Sequence, residues 1–125
     1  MQKPVRRLPD AELAVMQAVW SCTAPVSRSD LEAQLLPQHP MAQTTLLTLL
    51  SRLVEKGFLT VQKIGRGNCY TPTLTQQSYL ASQSRRFLDQ LCGGSVSVFA
   101  SALCDSGLSK EELAQLRQLL EEGEL

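Results

Sequence analysis

The chain has 125 residues, twelve Lys or Arg against twelve Asp or Glu, and one histidine, His39, which allows one compact domain or a small domain with an added arm. It holds no run approaching 18 apolar residues, and MQKPVRRLPDAEL at its start lacks an apolar signal stretch, so a cytoplasmic protein with no membrane insertion is expected. With no convincing nucleophile–base pair, no metal-ligand cluster and no phosphate-binding glycine loop, the expectation is a non-enzyme without cofactor or metal.

The zero net charge hides an asymmetry. Residues 1–72 carry eight basic groups against five acidic ones, and residues 73–125 carry four against seven. The first part can face phosphates while the second stays away from them.

The first 40 residues read as two helices. Leu8-Pro9-Asp10 opens the first, with Asp10 expected as N-cap and Glu12 in the first turn. Leu13, Met16 and Trp20 share a face, with Val15 and Val19 beside it, and Trp20 is expected in the core. Ser21 to Pro25 is a break, and Val26 enters a minimal strand. Ser27-Arg28-Ser29-Asp30 is a variant of the capping box and starts a second helix that runs to about Leu36. Pro37-Gln38-His39-Pro40 stops it, leaving His39 as a loop residue.

A third helix is expected over about 42–56. At about 100° per residue, Leu46, Leu49, Leu50, Leu53 and Val54 fall on one face, which Leu47 widens. Thr44, Thr45, Thr48, Ser51, Arg52 and Glu55 take the other side. Thr45, Thr48 and Arg52 follow i, i+3, i+7 and line one edge. Gly57 stands where a left-handed residue ends a helix cheaply. Phe58 to Ile64 then alternates with β-rich composition, Gly65-Arg66-Gly67-Asn68 supplies a turn, and Cys69-Tyr70-Thr71 returns before Pro72. This wing, about 61–71, carries Lys63 and Arg66 near its tip. Two helices, a turn, a hydroxyl-lined helix and a basic hairpin are the order of a winged helix-turn-helix that reads a DNA groove with the helix and touches phosphates with the wing.

The remainder reads as three helices: Thr75 to Cys92, Ser95 to Leu103 after Gly93-Gly94, and a last helix opened by the capping box Ser109-Lys110-Glu111-Glu112. Tyr79, Leu80, Phe87, Leu88 and Leu91, then Val98, Phe99 and Leu103, then Leu113, Leu116 and Leu120 are the apolar positions. So short a segment is a thin core for a monomer, and pairing with a second copy would cover these stripes and put two recognition helices on one duplex. The fold class is therefore mainly α: a winged-helix DNA-binding domain over 1–73 and a three-helix dimerisation arm over 74–125.

On LPDAELAVMQAVW, TTLLTLLSRLVEKGFL, GRGNCYTP, SYLASQSRRFLDQLCGGSV and LSKEELAQLRQLLEE, the chain resembles the penicillinase-repressor (BlaI/MecI/CopY) family of winged-helix transcriptional repressors over almost its whole length. TLLSRLVEKG followed by the GR wing is the most specific part. The resemblance implies a homodimer on palindromic double-stranded operator DNA, paired through the C-terminal helices. It makes Thr44, Thr45, Thr48 and Arg52 the groove-facing residues and Arg66 the wing contact. It also implies release by a signal, through a regulatory membrane peptidase in several members. Those members are cut in the helix after Gly-Gly at an Asn-Phe bond; the aligned pair here is Ser101-Ala102, a departure from that pattern. Copper-responsive members carry C-x-C pairs, whereas Cys22, Cys69, Cys92 and Cys104 are widely spaced and are expected to be buried and reduced. The alternative readings are a winged-helix protein-interaction module without DNA binding, and a thiol- or metal-responsive regulator using Cys92 and Cys104.

Overall fold

Local capping signals set most of the element boundaries. The computed structural model describes residues 5–123; Lys3 and Glu124 of the charge balance lie outside the described residues. Helix α1 spans Asp10–Ser21 and its N-cap is Pro9, whose carbonyl accepts from Leu13 N–H at 2.8 Å. Asp10, expected as the cap, is instead the first helical residue, where its carboxylate faces the positive end of the helix dipole. Strand β1 is Val26–Ser27. The Ser27 hydroxyl accepts from Asp30 N–H at 3.2 Å and starts α2, Arg28–Leu35.

Helix α3 is Gln43–Glu55. It ends in a Schellman motif: Phe58 N–H donates to Leu53 O at 2.9 Å and Gly57 N–H to Val54 O at 3.0 Å. That closure needs Gly57 at φ +84, which a glycine adopts without the Cβ clash of other residues. Strands β2 (Leu59–Ile64) and β3 (Gly67–Pro72) pair antiparallel with Ile64 opposite Gly67. The turn is thus only Gly65-Arg66, with Gly65 at φ +64 and no positive φ at Arg66, the pattern of a type II′ turn. Gly67 and Asn68, expected in the turn, already belong to β3. Val26 pairs with Tyr70, giving the sheet order β1-β3-β2.

The core lies where α1, α2 and α3 meet the base of this sheet. Val15, Met16, Val19, Val26, Leu31, Leu46, Leu50, Leu53 and Leu59 are buried there. Each such aliphatic side chain contributes about 1.5–3 kcal/mol when fully removed from water, so α3 is fixed by its leucines and its polar edge is left in solvent. Trp20 packs on the core's margin and donates from Nε1 to Leu74 O at 3.0 Å.

The chain divides into two compact units, Met1–Gln83 and Ser84–Leu125. Helix α4, Gln76–Gln90, runs through the division. The division lies later in the chain than the boundary expected at 73/74, because Tyr79 and Gln83 tie the first half of α4 to the winged helix. Tyr79 is 3% exposed; its hydroxyl accepts from Leu8 N–H at 2.9 Å, and its ring centroid lies 5.6 Å from that of Trp20 and 5.9 Å from that of Phe58. Gln83 Nε2 donates to Val5 O at 3.2 Å. Tyr79 is therefore a core residue of the first unit and not, as expected, part of a pairing face.

The second unit holds the end of α4, α5 (Val96–Asp105) and α6 (Lys110–Glu121). Ser95 caps α5, and the Ser109–Glu112 capping box opens α6 with both reciprocal bonds formed. Phe87 and Phe99 meet edge-to-face at 5.4 Å. Among its described residues only Cys92 is buried. The cysteines depart from uniform burial: all four are free thiols, Cys22 and Cys69 are half-buried, and Cys104 is exposed.

Candidate nucleic-acid interface

Helix α3 buries Leu46, Leu49, Leu50 and Leu53 and leaves Thr44, Thr45, Thr48, Ser51 and Arg52 exposed. About 100° per residue puts Thr44 and Ser51 at the middle of that exposed arc, Thr45 and Arg52 on one flank and Leu47 on the other. Thr48 Oγ1 donates to Thr44 O at 2.9 Å. Its hydroxyl proton is thereby used within the helix, and it offers an acceptor lone pair and a methyl group to a ligand.

Leu47, placed by periodicity with the core leucines, is 38% exposed. It faces the wing and lines a cleft of about 600 Å³ together with Ser29, Arg28, Lys63, Ile64 and Arg66. Lys63 and Arg66 are thus brought together with the start of α2; Thr45 and Arg52 stand outside this cleft on the far flank of α3. Arg28 is the member that sequence pattern did not single out. Its Nε lies 3.6 Å from Glu32 Oε1, and the Gln43 amide, with its oxygen turned to the guanidinium, accepts from Nη1 at 3.0 Å and Nη2 at 2.9 Å. The only sequence signal at Arg28 is its place beside the cap Ser27.

Lys56, one of the basic groups counted toward phosphates, is used otherwise. Its ammonium is bound to Glu12 at 2.5 Å. The cations left to the exposed face of α3 and its wing are Arg28, Arg52, Lys63 and Arg66, and Glu55 is the one carboxylate on the exposed arc of α3. A row of hydroxyls and one arginine on a rigid helix can donate and accept along base edges, and flanking cations can hold phosphates. Among the described residues no group of three His, Cys, Asp or Glu is placed to hold a metal ion, and no helix is long and apolar enough to cross a membrane.

Of the residues expected at a pairing face, Leu80, Phe87, Leu91, Val98 and Leu120 are exposed, and Leu88, Phe99, Leu103, Leu113 and Leu116 are half-buried. Val96 and Leu119, apolar positions of the same two helices, are also exposed. Leu113, Leu116 and Leu120 line an open groove on α6 with Arg117 and Glu121. Ser101 and Ala102 lie exposed within α5.

A three-helix core, a three-stranded antiparallel sheet and a hairpin beside the third helix define a winged helix-turn-helix protein. The sequence profile of the family described as Penicillinase repressor matches residues 8–122, and the chain belongs to that family, one of transcriptional repressors rather than enzymes. The penicillinase repressor of Bacillus licheniformis is 32% identical over 121 residues, covering 96% of this chain and 94% of the relative. Among solved structures, the DNA-binding domain of the repressor BlaI superposes with a TM-score of 0.52 at 32% identity, over 63% of this chain and 94% of that one. The monomeric form of Bacillus licheniformis BlaI in complex with the blaP half-operator gives 0.51 at 32% identity, with the same coverage.

Proposed function

We propose that the chain is a homodimeric repressor that occupies a palindromic operator, each subunit laying α3 in the major groove of one half-site with the wing along the adjacent backbone. The observation that carries this reading is the exposed edge of α3, where Thr44, Thr45, Thr48 and Arg52 stand on a leucine-anchored helix next to the Lys63–Arg66 wing. The half-operator complex of the Bacillus licheniformis relative supports it. A surface for docking protein would more often present aromatic or aliphatic anchors at that edge.

The second copy is the occupant that the second unit requires. A segment of this size, with Cys92 alone buried among its described residues, removes too little apolar surface from water to hold itself together. Its exposed Phe87, Leu91, Val96, Val98, Leu119 and Leu120 would be covered by pairing. Occupancy then blocks transcription, and a signal that separates the subunits or cuts the arm would lift it by removing the second half-site contact.

Selection of binding sites from a pool of random-sequence duplexes by the full chain tests this. Recovery of an inverted repeat with spacing of about one helical turn or a multiple of it, bound by two chains per duplex in sedimentation, is the expected result. Recovery of no preferred sequence would overturn the DNA reading; a single unrepeated site bound by one chain would overturn the dimer.

A further inference from the structure

The cleft between the wing and the start of α2 is a second basic site, separate from the flank of α3 that carries Thr45 and Arg52. Lys63 and Arg66 enter it from the hairpin and Arg28 from α2, over an apolar floor of Leu47 and Ile64. Among the described residues its lining holds these three cations and no carboxylate; Glu32, outside the lining, lies 3.6 Å from Arg28 Nε. A net-positive cleft in a chain of zero net charge costs self-repulsion and is stabilised by an anion.

With the Gln43 amide turned so that its oxygen faces the guanidinium, Gln43, the first residue of α3, accepts from both terminal nitrogens of Arg28, and Glu32 lies on the Nε side. An arginine donates from five N–H groups in a planar fork. In that orientation Gln43 uses one N–H of each terminal nitrogen, Glu32 pairs with the guanidinium by charge alone, and the remaining donors lie in the guanidinium plane at the junction of α2, α3 and the wing. Holding the side chain beforehand lowers the entropy lost when it takes a ligand.

We infer that this cleft seats a phosphodiester of the DNA strand running past the wing, with Arg28 and Lys63 as the phosphate-binding residues and Gln43 as the positioning residue that aims Arg28 and couples its grip to the start of the recognition helix. This inference rests on the DNA reading above. In it, the cleft supplies affinity and register, while the exposed arc of α3 supplies sequence discrimination.

The test uses the full chain and two probes: the inverted-repeat duplex recovered by selection and a scrambled duplex of equal length, each titrated by fluorescence anisotropy across a salt series. Arg28→Ala is expected to weaken both duplexes by the same factor, about tenfold at moderate salt, and to lower the slope of log affinity against log salt by about one per chain. Arg28→Lys is expected to keep the slope and lose part of the affinity, because the charge remains and the fork does not. Gln43→Ala is expected to behave like Arg28→Lys. Lys110→Ala, which removes one positive charge from α6, is the control for net charge alone. An Arg28→Ala chain indistinguishable from Lys110→Ala in affinity and slope would overturn the proposal, as would a loss confined to the selected duplex. Failure of the unmodified chain to bind either probe would overturn the DNA reading itself, so the two failures are distinguishable.

Discussion

Lys56, the C-cap of α3, donates from Nζ to Glu12 Oε1 of α1 at 2.5 Å. The Glu12 side chain is 4% exposed and the Lys56 side chain 24%. A carboxylate so placed depends on its one cation, and the pair pins the end of α3 to the first helix. The orientation of α3 therefore has an electrostatic component as well as its row of leucines.

Lys56→Met is expected to destabilise the fold by about 3 kcal/mol, because it strands the Glu12 charge in the core. The double variant Glu12→Leu with Lys56→Met is expected to recover most of that loss, since two apolar groups need no partner. Urea unfolding of the four chains of this cycle measures the coupling. Additive effects would show that the two groups do not sustain each other.

How much of this was readable beforehand follows from the range of the interactions. The order of helix, glycine stop and basic hairpin is local: periodicity, capping and turn chemistry act within a few residues, and α3 and β2 stand about where these signals put them, while β3 starts two residues earlier, at Gly67. Lys56 was legible as a charge but not as a partner, because Glu12 lies 44 residues away in sequence. Tyr79 fitted the apolar stripe of its helix equally well whichever body that stripe touched. Leu47 failed for a related reason. It sits at the border of the leucine face, where period alone cannot say whether the neighbour is core or cleft. Arg28 and Gln43 meet only through the fold.

Tyr79 gives a test of the revised unit boundary. Tyr79→Phe keeps the ring against Trp20 and Phe58 but leaves Leu8 N–H buried without its acceptor, at an expected cost of about 1–2 kcal/mol. Tyr79→Ala adds a cavity and is expected to cost about 3–5 kcal/mol. Both losses should appear in thermal unfolding, with the oligomeric state of Tyr79→Phe unchanged by sedimentation. A Tyr79→Phe chain of full stability that dissociates would return this residue to the pairing face.

Gly57 isolates a conformational effect. A Cβ added there would meet nothing within 4 Å, yet its φ is +84. Gly57→Ala is therefore expected to cost about 1–2 kcal/mol through backbone strain alone, and Gly57→Asn less, since asparagine tolerates the left-handed region better. Chemical denaturation of the two variants ranks them. Equal stability of Gly57→Ala and the parent would mean that the Schellman closure opens at little cost.

Arg52 is exposed on the flank of α3 away from the wing cleft and is expected to read sequence. Arg52→Ala should weaken binding to the selected inverted repeat by about 1–3 kcal/mol and change binding to scrambled DNA far less. Competition titrations give the ratio directly. An equal loss on both duplexes would make Arg52 a backbone contact only.

The division at Gln83 changes where the protein should be cut. A chain ending at Pro72 loses Tyr79 and the Gln83–Val5 bond, leaves Leu8 N–H and the faces of Trp20 and Phe58 uncovered, and is expected to fold poorly. A chain ending at Gln83 keeps all of them and is expected to fold as a monomer that binds one half-site but not two with cooperativity. In the full chain, Leu116→Glu combined with Leu120→Glu puts two charges into the α6 groove and is expected to reproduce that monomer without unfolding the winged helix, because burying either carboxylate unpaired costs more than the pairing returns. Sedimentation equilibrium and the stoichiometry on the inverted repeat read all three chains. A chain ending at Gln83 that stays dimeric would move the pairing surface into the first unit, and a double glutamate variant that stays dimeric would move it off α6.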